Sequence, residues 1–231
     1  MRRILKTSDR ARVVWEASPI MGTCYRELQI ILETCERKLA IRGGVPHVAH
    51  AYIKGRGPFS MAARHIGFER TITCDLKRWF TSVLWSHVYA GLRGCGETDA
   101  SASQISTLAC PHCHLEVGTC FSPAAANLAA VDLDIGISSF LTSRMTDLWS
   151  YTRYSDNLFV SFFRSDSEKK VLDILEEEVR LSKWQIRPES IRIFDRRCGH
   201  IPMLGLSVGE TSIRECRRTR RKSRAHFHNN R

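Results

Sequence analysis

The stretch YTRYSDNLFVSF, Tyr151 to Phe162, sets Asp156 and Asn157 between two runs of alternating apolar character. Alternation on both sides of a short polar step is the pattern of a β-hairpin. A turn at Ser155-Asp156-Asn157 holds an acid out at the tip. A second acid, Asp75, follows TITC at the end of another apolar run. Carboxylates at strand ends, distant in sequence, suit a hard divalent cation such as Mg²⁺, which prefers oxygen ligands. A pair of such cations can activate a hydroxyl nucleophile and stabilise a phosphate leaving group. Each acid by itself reads more simply as a turn residue or a helix cap. Their surroundings must decide.

The elements that position them can be read along the chain. RRILKTSDRARVVWEASP reads as an extended strand or turn region broken by Pro19. From Gly22 to Ala40 the apolar residues Leu28, Ile31, Leu32, Cys35 and Leu39 recur at helical spacing, which predicts an amphipathic helix. IRGGVPHV breaks it, and HAYIKGRGPFSMAARHIG is a glycine-punctuated loop entering a short helix. ERTITCDLKRWF predicts a buried strand ending near Asp75, followed by helical residues in RWFTSVLWSHVYAGLR. GCGETDASASQ reads as a loop with little core content. Ser122 as N-cap and Pro123 at the first helical position open the alanine-rich helix AAANLAAVDLDIGISSFL. Beyond the hairpin come an amphipathic helix in SEKKVLDILEEEVRLSKW and strands in QIRPESIRIF and GHIPMLGLSV. The order favours an α+β fold with helices on one face of an antiparallel sheet. There is no internal repeat.

At 231 residues, 43% hydrophobic and 26% charged, the chain suits one large domain or two small ones. No apolar run reaches the roughly 18 residues of a membrane span, and the basic N-terminus has no secretory h-region. A soluble, cytoplasmic protein with no membrane partner is expected. The net charge of +11 draws polyanions, nucleic acid foremost; on charge alone, a basic protein of unrelated role is an even alternative. Nine cysteines, an odd number in a chain with no export signal, suggest reduced thiols. CPHCH, Cys110 to His114, with Cys95 or Cys120 nearby, is half a zinc site. No second pair has regular spacing, which weighs against zinc there.

DLKRWFTSV (Asp75–Val83), GTCFSPAAANLAAVDLD (Gly118–Asp134), YTRYSDNLFVSF and HIPMLGLSV (His200–Val208) occur in the order of a bacterial retron-type reverse transcriptase, which the chain resembles. AYIKGRG (Ala51–Gly57) and RECRRTRRKSRAHFHN (Arg214–Asn229) add matches before and after, so the resemblance spans nearly the whole chain. It implies a right-hand polymerase fold. Fingers are expected over 1–70, and a palm with an antiparallel sheet over 71–210, with an excursion near 90–116. Residues 211–231 would be a basic tail or the start of a thumb, most of the thumb being missing. The resemblance implies an RNA-directed DNA polymerase that adds deoxynucleotides to a primer 3′-hydroxyl with Mg²⁺ or Mn²⁺. Partners would be an RNA template, a DNA or RNA primer and deoxynucleoside triphosphates, with a structured RNA or second chain completing the grip. Relatives serve in phage defence, diversity generation and mobile introns.

Carried over by position, Asp75, Asp156 and Asn157 occupy the catalytic places, and Asp75, Leu76 (through its carbonyl) and Asp156 are metal ligands. Phe80 falls at the steric gate against a 2′-hydroxyl, which its register favours over the alternative of a simple core residue. Val117 and Gly118 lie on the nucleotide side, where glycine permits close backbone approach. Ser122, Pro123 and Asn127 begin a helix on the template-primer side. Lys6, Arg10 and Arg12 are candidate triphosphate contacts, with a solvated basic surface as the alternative. Arg214, Arg217, Arg221 and Arg224 would form one basic stripe on a helix facing phosphates, or a solvated tail.

The chain departs from the family pattern at the site. Asn157 replaces a second aspartate, keeping shape but losing a negative charge. Val117 replaces a glutamine. Arg187 and Ser190 replace an asparagine and a lysine near the leaving phosphate, where Arg187 or Arg192 can substitute. Two alternatives follow: a weakened or inactive relative that binds nucleic acid or a partner, and an RNA-directed RNA polymerase, against which Phe80 argues.

Overall fold

The computed structural model describes residues 2–6, 12–16, 19–42 and 48–216, with side chains for 22–39 and 48–216. It has two compact units, each discontinuous in sequence: residues 1–47 with 77–136, and residues 48–76 with 137–231.

The first unit opens with a hairpin of β1 (Arg2–Lys6) and β2 (Arg12–Glu16), then the long helix α1 (Pro19–Arg42). Pro19 starts α1, where its missing N–H costs nothing. The 22–40 expectation for this helix is therefore short at its N-terminal end. After the short helix α3 (Trp79–Ser82) come α4 (Trp85–Gly94) and α5 (Asp99–Ala109). The segment expected as a loop, GCGETDASASQ, is thus partly helical. Thr98 caps α5 by accepting from Ser101 N, and Ala102, Ile105, Ser106 and Ala109 are buried at helical spacing. Small side chains hid that stripe from a hydropathy reading. The helix α6 (Ser122–Ala129) crosses α4 so closely that a Cβ on Gly91 would sit 2.8 Å from the Leu128 carbonyl oxygen.

Two details of α6 differ from expectation. Phe121 is the N-cap, and Ser122 is the first helical residue with Pro123 second. The single helix expected beyond Ser122 is divided at Ala130 into α6 and α7 (Val131–Arg144). Taken together, 122–144 is long and apolar enough by composition to cross a membrane, but Asp132 and Asp134 interrupt its apolar run and 61% of its apolar window is buried, as in a core helix.

The second unit is built on a four-stranded antiparallel sheet. Its strands are β3 (Arg70–Asp75), β4 (Trp149–Tyr154), β5 (Asn157–Phe162) and β6 (Arg192–Asp195), in the order β4-β5-β3-β6. The helix α8 (Glu168–Leu181) packs on β3 with Val171, Ile174, Leu175 and Val179 buried, and Ser167 caps it by accepting from Lys170 N. A second sheet holds β7 (Ile201–Met203), β8 (Leu206–Val208) and β9 (Ile213–Glu215). Ile201, Met203, Leu206 and Val208 pack with Met61 and Ala62 of α2 (Pro58–Ala63) and with Phe159. Arg214 lies in β9, paired with Ser207, rather than on the expected helix. Strand pairing outweighed its basic periodicity.

Between α2 and the sheet lies His65, fully buried, with Nδ1 2.7 Å from Ser161 Oγ and Nε2 2.6 Å from Thr152 Oγ1. Thr71 Oγ1 completes the network at 2.7 Å from Ser161 Oγ. Burial, with help from His50 and Arg64, lowers the His65 pKa to about 3. The folded state therefore resists a proton that the unfolded chain accepts below about 6.5. Stability should fall as pH drops from about 6.5 towards 3, by up to about 1.4 kcal/mol per pH unit from this group. Urea unfolding at pH 7 and pH 5.5 checks this: His65→Gln should lose less stability between the two than the parent chain.

Candidate active site

The antiparallel register of β3 and β5 sets Asp75, the last residue of β3, opposite Asn157, the first of β5. Asp156 immediately precedes Asn157, so Asp75 and Asp156 meet at one end of the sheet. The hairpin turn is the two residues Ser155 and Asp156, because Tyr154 pairs with Asn157. Ser155 takes φ 57°, the left-handed conformation that such tight hairpins demand. Leu76 N donates to the Asp156 carbonyl at 2.7 Å, tying the turn to the chain that leaves β3.

Other residues hold this end in place. Asp75 N donates to Ser190 Oγ at 2.8 Å, and that hydroxyl donates to the Arg187 carbonyl at 2.6 Å. Arg187 N in turn donates to the Asp75 carbonyl at 2.8 Å. The Arg187 guanidinium stands 3.5 Å from Asp75 Oδ2. Asn157 Nδ2 donates to Asp156 Oδ1 at 3.0 Å and reaches the Tyr154 carbonyl at 3.4 Å, so the amide orients the neighbouring carboxylate. Beneath the hairpin, Arg153 is buried, with a guanidinium nitrogen 3.4 Å from the Ser155 carbonyl oxygen. Its backbone exchanges hydrogen bonds with Val48 and His50 at 2.7 and 2.8 Å, and Tyr52 Oη lies 3.4 Å from Ser155 Oγ. The segment with AYIKGRG thus braces the turn.

Electrostatics follow from this crowding. Burial, then the Asp156 charge, push the Asp75 pKa up, against the opposing pull of Arg187 and Arg192. A carboxylate whose folded pKa is raised costs stability once pH rises above its unfolded value, and acid relieves that cost. A cation would relieve it too. This donor set, hard oxygens in mutual repulsion with only partial compensation, fits Mg²⁺ or Mn²⁺. Leu76 is fully buried beside it.

The remaining candidates divide. Phe80, Val117, Gly118, Ser122, Pro123 and Asn127 belong to the first unit. Phe80 is half-buried on α3. Gly118 takes φ 103°, a conformation suited to glycine. Ser122 is buried and donates to the Glu116 carbonyl at 2.6 Å, while Asn127 is buried in α6. Lys6 pairs with Arg12 in the β1–β2 hairpin. Arg10, Arg217, Arg221 and Arg224 lie outside the described residues. Sequence reasoning missed Arg153, Tyr52 and the Ser190 hydroxyl as supports. An arginine as the one charged residue of its strand was the available signal.

Comparison with known proteins finds homologues among the retron reverse transcriptases. The chain is 32% identical over 155 residues to retron Ec86 reverse transcriptase of Escherichia coli, covering 66% of this chain and 47% of that protein. It is 25% identical over 219 residues to retron Mx162 reverse transcriptase of Myxococcus xanthus, covering 82% of this chain and 43% of that protein. The chain is a homologue of the retron reverse transcriptases. It spans less than half the length of these relatives. No family model matches it. Solved structures give the fold of this reverse-transcriptase homologue as α+β and polymerase-like. Apo telomerase from Candida tropicalis matches with a TM-score of 0.64 at 9% identity, covering 89% of this chain and 46% of that one. Telomerase from Candida albicans, solved with a fragment of telomeric RNA, gives 0.62 at 11% identity, covering 83% of this chain and 38% of that one.

The support around Asp75 is testable without activity. Ser190→Ala strips the acceptor from Asp75 N–H and should cost about 1–3 kcal/mol in denaturant unfolding. Ser190→Thr, which keeps the hydroxyl, should recover most of it. Equal stability of all three chains would show that the bond does not hold Asp75.

Proposed function

We propose that the chain is an RNA-directed DNA polymerase whose metal-binding pair is Asp75 and Asp156. The observation that carries this reading is the convergence of the two carboxylates at one sheet end, fixed by strand register rather than by flexible side chains. Homology to retron reverse transcriptases supports the reaction class. The substrates would be an RNA template, a DNA or RNA primer and deoxynucleoside triphosphates, consistent with the net charge of +11.

Mg²⁺ held by Asp75 and Asp156, with the Leu76 carbonyl as a further ligand, would lower the pKa of the primer hydroxyl and neutralise charge on the phosphates. The chain's own residues do the rest. Ser190 and Arg187 fix the backbone of Asp75, and Asn157 orients Asp156. Arg187 or Arg192, both close enough to act on the Asp75 charge, would supply the cation for the leaving phosphate in place of the family's lysine. Phe80 is assigned as the gate that excludes a 2′-hydroxyl.

A second reading rests on Asn157. Its amide carries no negative charge and donates to a carboxylate oxygen that would otherwise be open to metal, which favours a weakened or inactive relative.

Primer extension on an RNA template, in Mg²⁺ and in Mn²⁺, separates the two. Deoxynucleotide incorporation is expected, reduced on the order of a hundredfold or more in Asp156→Ala, because several kcal/mol of charge stabilisation is lost. Phe80→Ala should admit ribonucleotides. Silence of the parent chain with synthesis by Asn157→Asp would favour the second reading. Silence of both, with template-primer still bound, would reject polymerase activity for this chain.

A further inference from the structure

Within the first unit, one side-chain cluster plays no part in the proposed polymerase site. Cys35 of α1 and Cys95, the residue that ends α4, are 2% and 3% exposed. The chain turns at Gly96, with φ 94°, and brings Glu97 back towards the two thiols. The Cys35 and Cys95 sulfurs and a Glu97 carboxylate oxygen all lie within 4.8 Å of one another. Cys35 Sγ is 3.8 Å from Glu97 Oε1. We propose that Cys35, Cys95 and Glu97 form a binding site for a thiophilic divalent cation of the zinc class.

The geometry is close to what such an ion needs. Tetrahedral zinc, with bonds of about 2.3 Å to sulfur and about 2.0 Å to oxygen, sets its donor atoms about 3.5–3.8 Å apart. The cluster has to contract little. Glu97 is already turned the right way, since its Oε2 accepts from Ser101 Oγ at 2.9 Å and leaves Oε1 facing the sulfurs. An outer-shell bond of this kind holds a ligating carboxylate in position. The cluster also sits at the C-terminal end of α4, where the helix dipole favours positive charge. Lys38 Nζ, 4.0 Å from Glu97 Oε1, competes for the carboxylate, but its side chain is 53% exposed and can move into water.

Binding balances simply. Each thiol gives its proton to solvent as a sulfur–metal bond forms, Glu97 supplies an oxygen, and water takes the fourth position. Two thiolates offset the charge of the ion, so the net charge of the cluster is unchanged. Mg²⁺ does not compete for such a site, because sulfur is the wrong ligand for it. The CPHCH motif is not the source. Cys113 and His112 are exposed, His112 pairs with Glu116, and Cys110 and Cys113 form no three-ligand group among the described residues. The metal would pin the middle of α1 to the turn after α4.

Cobalt titration of the reduced full chain tests the proposal, since Co²⁺ takes zinc sites and shows thiolate charge-transfer and tetrahedral ligand-field bands. With excess Mg²⁺ present to occupy the carboxylate pair Asp75 and Asp156, the bands of a two-thiolate tetrahedral site should saturate at one equivalent, and Zn²⁺ should abolish them. Cys35→Ser and Cys95→Ser should each abolish the charge-transfer signature of that site. Glu97→Gln should weaken binding about tenfold or more, and Cys113→Ser should leave it unchanged. Three results would overturn the proposal: no tetrahedral cobalt spectrum in the parent chain, a spectrum that survives both Cys35→Ser and Cys95→Ser, or one that depends on Cys113. The parent-chain spectrum is decisive even if a variant fails to fold.

Discussion

The interaction on which the second unit turns is repulsion between two carboxylates held together by backbone pairing. Asp75 and Asp156 cannot drift apart, because the β3–β5 ladder fixes their register and Leu76 N–H fastens the hairpin turn. Burial then makes the shared charge costly and raises the Asp75 pKa. Such an arrangement does not serve the stability of the metal-free chain. A ligand that brings positive charge would relieve that cost, which is the basis of the metal-binding role proposed for the pair.

The support is polar and specific. Ser190 and Arg187 hold Asp75 from one side, while Arg153 and the 48–52 segment brace the hairpin from the other. Farther along the same sheet, His65, Thr71, Thr152 and Ser161 satisfy one another in the interior. Buried polar groups that are fully paired specify one register, since a slip of one residue would leave each of them unpaired. The placement of the acid pair thus depends on polar residues around it as well as on the strand register.

Much of this was legible in the sequence, for physical reasons that differ by element. The β3 strand, the hairpin and α8 announce themselves because each buries a regular apolar pattern and ends on a turn or cap. Asp75 and Asp156 stood out by their places at those ends. The helix α5 did not, since Ala102, Ser106 and Ala109 bury little apolar surface each and read as a polar linker. Arg214 misled in the opposite direction: its spacing from later arginines suggested a helix, but pairing with β8 decided its conformation. Ser190 looked like the loss of a lysine, and only the fold shows its hydroxyl under the Asp75 amide. Cys35 and Cys95 lie too far apart in sequence to suggest a shared site, and the packing of α1 and α4 is what joins them.

The central claim is that Asp75 and Asp156 are halves of one cation site. Mn²⁺ binding followed by electron paramagnetic resonance tests it most directly, using the parent chain, Asp75→Asn and Asp156→Asn. The account predicts a Mn²⁺ site in the parent that Mg²⁺ displaces and that either substitution weakens severely. Manganese bound equally well by all three chains would contradict it.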